Sequence, residues 1–478
     1  MNRRDFIGLT VATFTRAVGA TDRKPKNALK PSSRPASVQP NFIIILCDNL
    51  GYGDLGCFGS KTHHTPHIDR LAGEGTRLTS FYSSSPVCTP SRASLMTGCY
   101  AQRVDMHISD KGGWVLRPVS AKGLNPSEVT IAEIFKEQGY ATACLGKWHL
   151  GDQPEFLPTR HGFDYYFGIP YSEDMVPAHT PSWPPLPLLR NETVVEAPVD
   201  LTKMTRRYVQ EATVFIRKNR DKPFFLYFAH HLPGSRKVPV VDPQFQGKSS
   251  NGRYGDSVEE IDWSVGQIIS ELERLGIDDR TLVVLTSDNG TPPAKGGSNA
   301  PWGGWAYSTS EGGMRMPCIV CWTGEIPAGR TCDELCMMMD LLPTFAGLAS
   351  AAVSQDRIID GKDIWPLWSG RPGTKSPHMA FYYYMVNQLQ VVRSGKWKLH
   401  LPLKKMRGRV VHRPMKLIDL SKDPQEANNL SQDHPKMVRK LMALAEQARL
   451  DLGDLDHPGA GQRPAGCVDR PTPRVMLR

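Results

Sequence analysis

The 478-residue chain lacks several things, and each absence excludes a class of protein. No apolar run reaches the ~18 residues that a membrane helix needs, so the sequence predicts no transmembrane span. No internal repeat is visible, which argues against solenoids and propellers. Away from its ends the chain carries almost no net charge. The formal total is +10, but residues 1–34 contribute +6 and residues 457–478 contribute +3, leaving about +1 for the rest. A nucleic-acid binder needs a basic stripe on its folded body, so no nucleic-acid partner is expected. A disulfide framework is missing as well: ten cysteines are scattered at 47, 57, 88, 99, 144, 318, 321, 332, 336 and 467. Cys318-x-x-Cys321 and Cys332-x-x-x-Cys336 have zinc-like spacing. However, Pro317–Trp322 reads as a strand, which sends 318 and 321 to opposite faces and makes buried core cysteines the better reading.

What is present is ordinary globular composition, 40% apolar and 22% charged, which excludes a disordered chain or a coiled coil. Gly (42) and Pro (39) are plentiful and predict many loops on a large scaffold, as in an enzyme. The first twenty residues, MNRRDFIGLTVATFTRAVGA, place Arg3-Arg4 before a short apolar stretch and end in small residues. That is the layout of an export signal of twin-arginine type, and it predicts an exported protein, periplasmic or extracellular. Cleavage after Ala20 would lower the net charge to about +8. Residues 21–38 are polar and Pro/Ser/Lys-rich and read as a linker.

Continuous apolar runs at Phe42–Cys47, Ala141–Leu145, Phe224–Ala229, Thr281–Thr286 and Cys318–Trp322 read as buried strands. Helical patterns lie between them. Asn125-Pro126-Ser127-Glu128 reads as one helix start, with the helix ending at Gly139. Asp256-Ser-Val-Glu259 reads as another, followed by Val258, Ile261, Val265, Ile268, Leu272 and Leu275, and closed by Gly276. The expected fold class is α/β: a large, mainly parallel central sheet flanked by helices. Sites in such sheets lie beyond the strands' carboxyl ends, where Asp48-Asn49, Lys147, His149 and Asp288-Asn289 fall. After about residue 375 short alternating strands and a helix near 424–451 predict a smaller C-terminal antiparallel sheet with a closing helix. The organisation is then 1–20 signal, 21–38 linker, 39–375 catalytic domain, 376–455 C-terminal α+β subdomain and 456–478 tail.

The most specific stretch is Cys88-Thr-Pro-Ser-Arg92-Ala-Ser-Leu-Met-Thr97-Gly98. It resembles the signature of the arylsulfatase-type sulfatases, members of the alkaline-phosphatase superfamily, and matches C-x-P-S-R-x-x-x-x-T-G completely. The resemblance implies that a maturation enzyme oxidises Cys88 to formylglycine. The hydrate of that aldehyde then attacks sulfur with one oxygen and expels sulfate with the other. A nucleophile at a helix N-terminus also suits an anionic substrate, and Arg92 would add fixed charge.

Leu46-Cys-Asp48-Asn49-Leu-Gly-Tyr-Gly-Asp54 and Thr286-Ser-Asp288-Asn289-Gly290 are similar to the family's two metal segments. They imply an oxygen-only ligand set of Asp48, Asn49, Asp288 and Asn289, which suits Ca²⁺. The family usually has two consecutive acids in the first segment, so Asn49 removes one negative charge. Gly146-Lys147-Trp148-His149-Leu150-Gly151 matches the family's G-K-W-H-L-G. This implies that Lys147 contacts sulfate and His149 the formylglycine diol, and an extended segment would point both to one face.

Two positions depart from the family. Gly234 stands where a general-acid His is expected, with His231 nearby in sequence as a candidate substitute. Ala306 stands where a sulfate-binding Lys is expected, with Lys295 upstream. The resemblance spans about residues 40–455 and implies a sulfate-ester hydrolase, with a sulfated carbohydrate as a candidate substrate. Two rivals keep the fold: an impaired protein that binds sulfated glycans, and a phosphonate or phosphate ester hydrolase.

Overall fold

The computed structural model describes residues 39–293, 296–353, 356–406 and 409–476. The export signal, the linker and Lys295 lie outside the described residues. Asn41–Asp48 is wholly buried and forms the centre of the main sheet. On one side it pairs in parallel with Thr281–Ser287, and on the other with Phe224–Pro233. Ala141–Gly146 and Tyr165–Gly168 extend the parallel centre; Leu188–Arg190 and Thr193–Glu196 add antiparallel pairs on that side, and on the other Ile319–Cys321 runs antiparallel to Thr281–Ser287.

Alternation along the central strand builds two cores. Phe42, Ile44 and Leu46 pack on one face with Phe135 and Phe345. Ile43, Ile45 and Cys47 pack on the other with Val258, Ile261 and Val265. Each such side chain contributes roughly 1.5–3 kcal/mol on burial. The cysteines follow the same rule. Cys318, Cys332 and Cys336 join the first core and Cys321 the second, and all ten cysteines are free.

Three helix starts differ from expectation; the C-terminal helix, expected near 424–451, begins only at Pro435. The first helix is Ile131–Glu137, capped by Thr130 in a capping box with Glu133, while Asn125 closes only a local turn onto Ser127 N–H. Thr130 wins because its side chain and Glu133 satisfy two orphan amides at once. The second helix, Gly252–Leu275, begins four residues before Asp256. Asp256 is buried inside it and accepts the backbone N–H groups of Gly247, Lys248 and Ser249, so it caps the preceding loop instead. Gly276 closes this helix in the left-handed conformation, as its sequence position predicts.

In the C-terminal region Phe381–Met385, Gln388–Ser394, Trp397–His400 and Lys416–Asp419 form an antiparallel sheet under the helix Pro435–Leu452. The last residues return to the main body. Gly466–Cys467 pairs with Lys122–Gly123, Arg463 holds Glu128 at 2.7 Å, and Thr472 N–H reaches Gln153 at 2.8 Å.

Candidate active site

The parallel register decides which side chains meet. Asp48 ends the central strand, Asp288 follows the strand on one side, and Lys147 follows Ala141–Gly146. The pairing of Asn41–Asp48 with Phe224–Pro233 jumps from Leu46↔Ala229 to Asp48↔Pro233, two residues on one strand against four on the other. This bulge brings Gly234 to Asp48, whose carbonyl accepts the Gly234 N–H at 2.9 Å.

Cys88 is the first residue of the helix Cys88–Thr97 and is 5% exposed. Its thiol donates to Asp48 Oδ1 at 3.3 Å and lies 3.5 Å from Lys147 Nζ. Oxygens of Asp48 and Asp288 and the Cys88 sulfur all fall within 4.8 Å of one another. Lys147 Nζ donates to Asp48 Oδ2 at 2.8 Å and Ser172 Oγ at 3.1 Å. Arg92, one helical turn after Cys88, donates to Asp288 at 3.0 Å and the Lys147 carbonyl at 2.7 Å. The sequence-read residues Cys88, Arg92, Lys147, Asp48 and Asp288 are thus one contact network.

Its electrostatics are uneven. Burial alone would raise Asp48, but Lys147 and Arg92 outweigh it and hold the carboxyl well below its ordinary range. Burial and the neighbouring Asp48 push Asp288 up to about 6. Burial, Asp288 and Asp48 raise Cys88 well above the usual thiol value, so the sulfur stays protonated. A buried protonated thiol is a poor nucleophile.

Asn49 is in the left-handed region, φ 62°, where its backbone N–H meets Asp288 Oδ1 at 3.1 Å. Its Oδ1 accepts from Asn289 Nδ2, and its own Nδ2 donates to Ser235 Oγ at 3.1 Å. Asn289 Oδ1 is buried without a partner. Two carboxylates and an orphaned amide oxygen form a hard donor set, which fits a divalent cation such as Ca²⁺.

His149 corrects the extended-segment expectation. The strand stops at Gly146 and His149 takes φ 62°, so the alternation of a strand does not apply. Its Nε2 pairs with the Leu116 carbonyl at 3.0 Å and Nδ1 is left without a partner. Burial and Lys147 lower its pKa well below normal, so His149 is neutral and Nδ1 is an acceptor.

His231 is buried in the bulge, with neither ring nitrogen hydrogen-bonded; burial, reinforced by Lys147 and Arg236 against Asp48, brings it down to about 4. Ala306 is buried, its N–H on the Thr291 carbonyl at 3.1 Å. Asp54, in the first metal-like segment, is structural: it accepts from Tyr254, Gly51 N–H and Ser298 N–H.

Ser172, Glu173, Ser235 and Tyr307 were not foreseen. Ser172 and Glu173 follow Tyr165–Gly168, a short strand next to Ala141–Gly146. Recognising that strand would have pointed to them by the same carboxyl-end rule. Tyr307 has φ 67°, strained for a bulky residue, and its phenol is raised by burial and by Cys88 and Asp48.

A family model described as sulfatase matches residues 40–351. The chain belongs to the sulfatase family. A second model, the N-sulphoglucosamine sulphohydrolase C-terminal region, matches residues 305–450. The chain is 35% identical to steryl-sulfatase from Mus musculus, over 93% of this chain and 86% of that protein. It is 40% identical to N-acetylgalactosamine-6-sulfatase from Canis lupus familiaris, over 76% of this chain and 71% of that protein. Among solved structures, one from work on glycosaminoglycan metabolism by Bacteroides thetaiotaomicron superposes with a TM-score of 0.76 at 28% identity. It covers 86% of this chain and all of that one. The protein is thus a sulfatase enzyme with a sulfate ester as substrate. Among the described residues no helix is long and apolar enough to cross a membrane.

Proposed function

We propose that this sulfatase is exported, is matured by oxidation of Cys88 to formylglycine, binds Ca²⁺, and hydrolyses a sulfate ester on an anionic carbohydrate. The observation carrying this reading is the position of Cys88. It starts a helix, touches Asp48 and Lys147, and is kept a thiol by burial and by the acids Asp288 and Asp48. As a cysteine it is inert, and conversion to an aldehyde hydrate would supply an oxygen nucleophile at the same place.

Asp48, Asp288, Asn289 and Asn49 would hold the cation, which when bound supplies positive charge for a sulfate oxygen. The remaining steps belong to side chains present here. Lys147 orients the group at 88 and offers its charge to the sulfate. Arg92 fixes Asp288 and the Lys147 backbone. His149 offers a neutral acceptor nitrogen. The helix N-terminus adds backbone N–H groups and a positive dipole end.

The carbohydrate reading is supported by a cavity of about 710 Å³ between the 303–310 loop and the C-terminal sheet. Tyr307 lines it and lies within electrostatic reach of Asp48, while Arg413, Lys416, Gln390, Asn429 and Glu426 give it polar and charged groups suited to a sugar. A larger cavity, about 1140 Å³, lies by Asp278, Thr281 and Cys321 and contains none of the site residues.

The test is mass spectrometry of protein co-produced with a formylglycine-generating maturation enzyme, paired with turnover of aryl sulfate. Conversion at Cys88 with activity that Cys88→Ala abolishes is expected. An active protein in which Cys88 remains an unmodified thiol would overturn the mechanism.

A further inference from the structure

Gly234 leaves a specific space, and another side chain occupies it. At φ +83° this glycine has a backbone that other residues rarely adopt. A Cβ built on it would sit 2.5 Å from Glu173 Oε1 and 2.6 Å from the His231 carbonyl. A histidine at this position would therefore project into the Glu173 carboxyl. Glu173 is itself 2% exposed. Its Oε1 accepts the backbone N–H groups of Ser235 and, at 3.2 Å, Arg236, while Oε2 lies 2.9 Å from Ser172 Oγ. Ser172 Oγ in turn lies 3.1 Å from Lys147 Nζ, which reaches Cys88 Sγ. The Ser172 hydroxyl is thus two contacts from the atom where the nucleophile forms.

We propose that Ser172 meets the leaving alcohol oxygen of the sulfate ester and that Glu173, as the proton reserve behind it, replaces the imidazole missing at position 234. The inference rests on the sulfate-ester reading above. As the oxygen nucleophile at position 88 bonds to sulfur and gives up its proton to water, the ester S–O bond breaks; its electron pair goes to the alcohol oxygen, which takes the Ser172 hydroxyl proton. Ser172 is reprotonated by the Glu173 carboxyl. Glu173, left as carboxylate, recovers a proton from water before the next turnover, so the net reaction remains hydrolysis.

The surroundings of Glu173 suit this role. Burial and the negative charges of Asp48 and Asp174 push it up to about 7, against Lys147 and the Ser235 N–H. Arg236 binds its backbone carbonyl at 2.7 Å, and Tyr208 on the helix Met204–Lys218 is the other titratable group that feels its charge. His231, neutral from burial, offers no competing proton at neutral pH.

The experiment uses the Cys88-converted full-length enzyme, with p-nitrophenyl sulfate as the good leaving group and a monosaccharide sulfate as the poor one. Glu173→Gln is expected to lower kcat on the sugar ester by about 10²–10⁴-fold while changing the aryl ester little. It should also abolish the fall in wild-type kcat on the sugar ester as pH rises through the carboxyl's ionisation. Ser172→Ala should show the same split, and Glu173→Asp should partly restore the sugar reaction. Equal losses on both esters, or no loss on the sugar, overturn the proposal. If Glu173→Gln fails to fold, the wild-type pH profile decides: activity on the sugar ester that does not fall with rising pH overturns it. A converted wild-type enzyme that hydrolyses neither ester overturns the underlying function as well, which separates the two failures.

Discussion

The sulfatase buries two clusters of charge that do different work. One is the site cluster of Asp48, Asp288, Arg92 and Lys147. The other joins the catalytic body to the C-terminal sheet around Glu311. Both are fully buried and both pair acids with bases. At the junction every group is satisfied. Glu311 Oε1 accepts from Tyr383 at 2.8 Å and Lys398 at 2.9 Å, and Oε2 from Tyr82 and Arg315. Lys398 also holds Glu426 at 3.0 Å and the Thr309 carbonyl at 3.1 Å. Burial would raise Glu311, but Lys398, Arg315 and Arg393 outweigh it and hold it far below the usual carboxylate range. At the site, Asn289 Oδ1 and His149 Nδ1 are left over, and the two carboxyls are driven in opposite directions. Buried charge alone therefore does not mark a catalytic centre. What sets the site cluster apart is buried charge together with unpaired polar atoms, which are left for a ligand.

The comparison breaks most sharply through stability against activity. Glu311→Ala strands Lys398 and Arg315 in the interior and should cost about 3–5 kcal/mol in chemical denaturation, with kcat/KM of the folded protein unchanged. Lys147→Met should do the reverse, lowering kcat/KM by about 10²–10³-fold because it removes a charge beside the reacting atom. Activity loss in the first variant, measured on material shown to be folded, would erase the distinction.

Gly234→His gives a smaller effect. The positive φ and the Glu173 carboxyl make the new side chain costly, and a loss of about 1–3 kcal/mol in unfolding free energy is expected. Turnover of a sugar sulfate should not rise, since the space is already filled.

Asn49→Asp tests the missing charge at the site. Calcium titration followed by thermal melting should show apparent affinity about tenfold tighter than wild type, the worth of one added anion among the donors.

Stability should also depend on pH. Burial pushes Asp54, Glu260 and Asp262 each up to about 7. Unfolded, such groups release protons near pH 4, so between about pH 4 and 7 the native state binds more protons than the unfolded one. Unfolding free energy should fall as pH rises through that window and level off above it. Glu311 has the opposite sign: its contribution is present above its unfolded value and is lost as pH drops below it. Denaturant titrations from pH 2 to 8 check both, and Glu260→Gln should flatten the slope.

Much of the site was legible because its residues follow strong strands. The run Phe42–Cys47 announces a buried strand, and Asp48-Asn49 must then lie at its carboxyl end. The same holds for Asp288-Asn289 after Thr281–Thr286. The cysteine motif adds the nucleophile position at a helix start. Ser172 and Glu173 escaped because Tyr165–Gly168 is only four residues long, and its place is set by its neighbour Ala141–Gly146. The capping box at Thr130 was passed over for a more conspicuous Asn-Pro pair. The turn at His149 was missed because a left-handed φ in a non-glycine residue has no local signature.

The sequence by itself determined that two acid–amide pairs, a lysine and a motif cysteine belong to strand and helix ends, because hydrophobic periodicity fixes where such elements start and stop. It also showed that Gly234 and Ala306 lack the side chains the family would place there. Tertiary structure alone decided what stands in the space beside Gly234. A two-residue bulge brings that glycine to Asp48, and the Glu173 carboxyl, 61 residues earlier in the chain, fills the space from a separate loop. Long-range register of this kind depends on how whole strands pair, and local residue pattern carries no record of it.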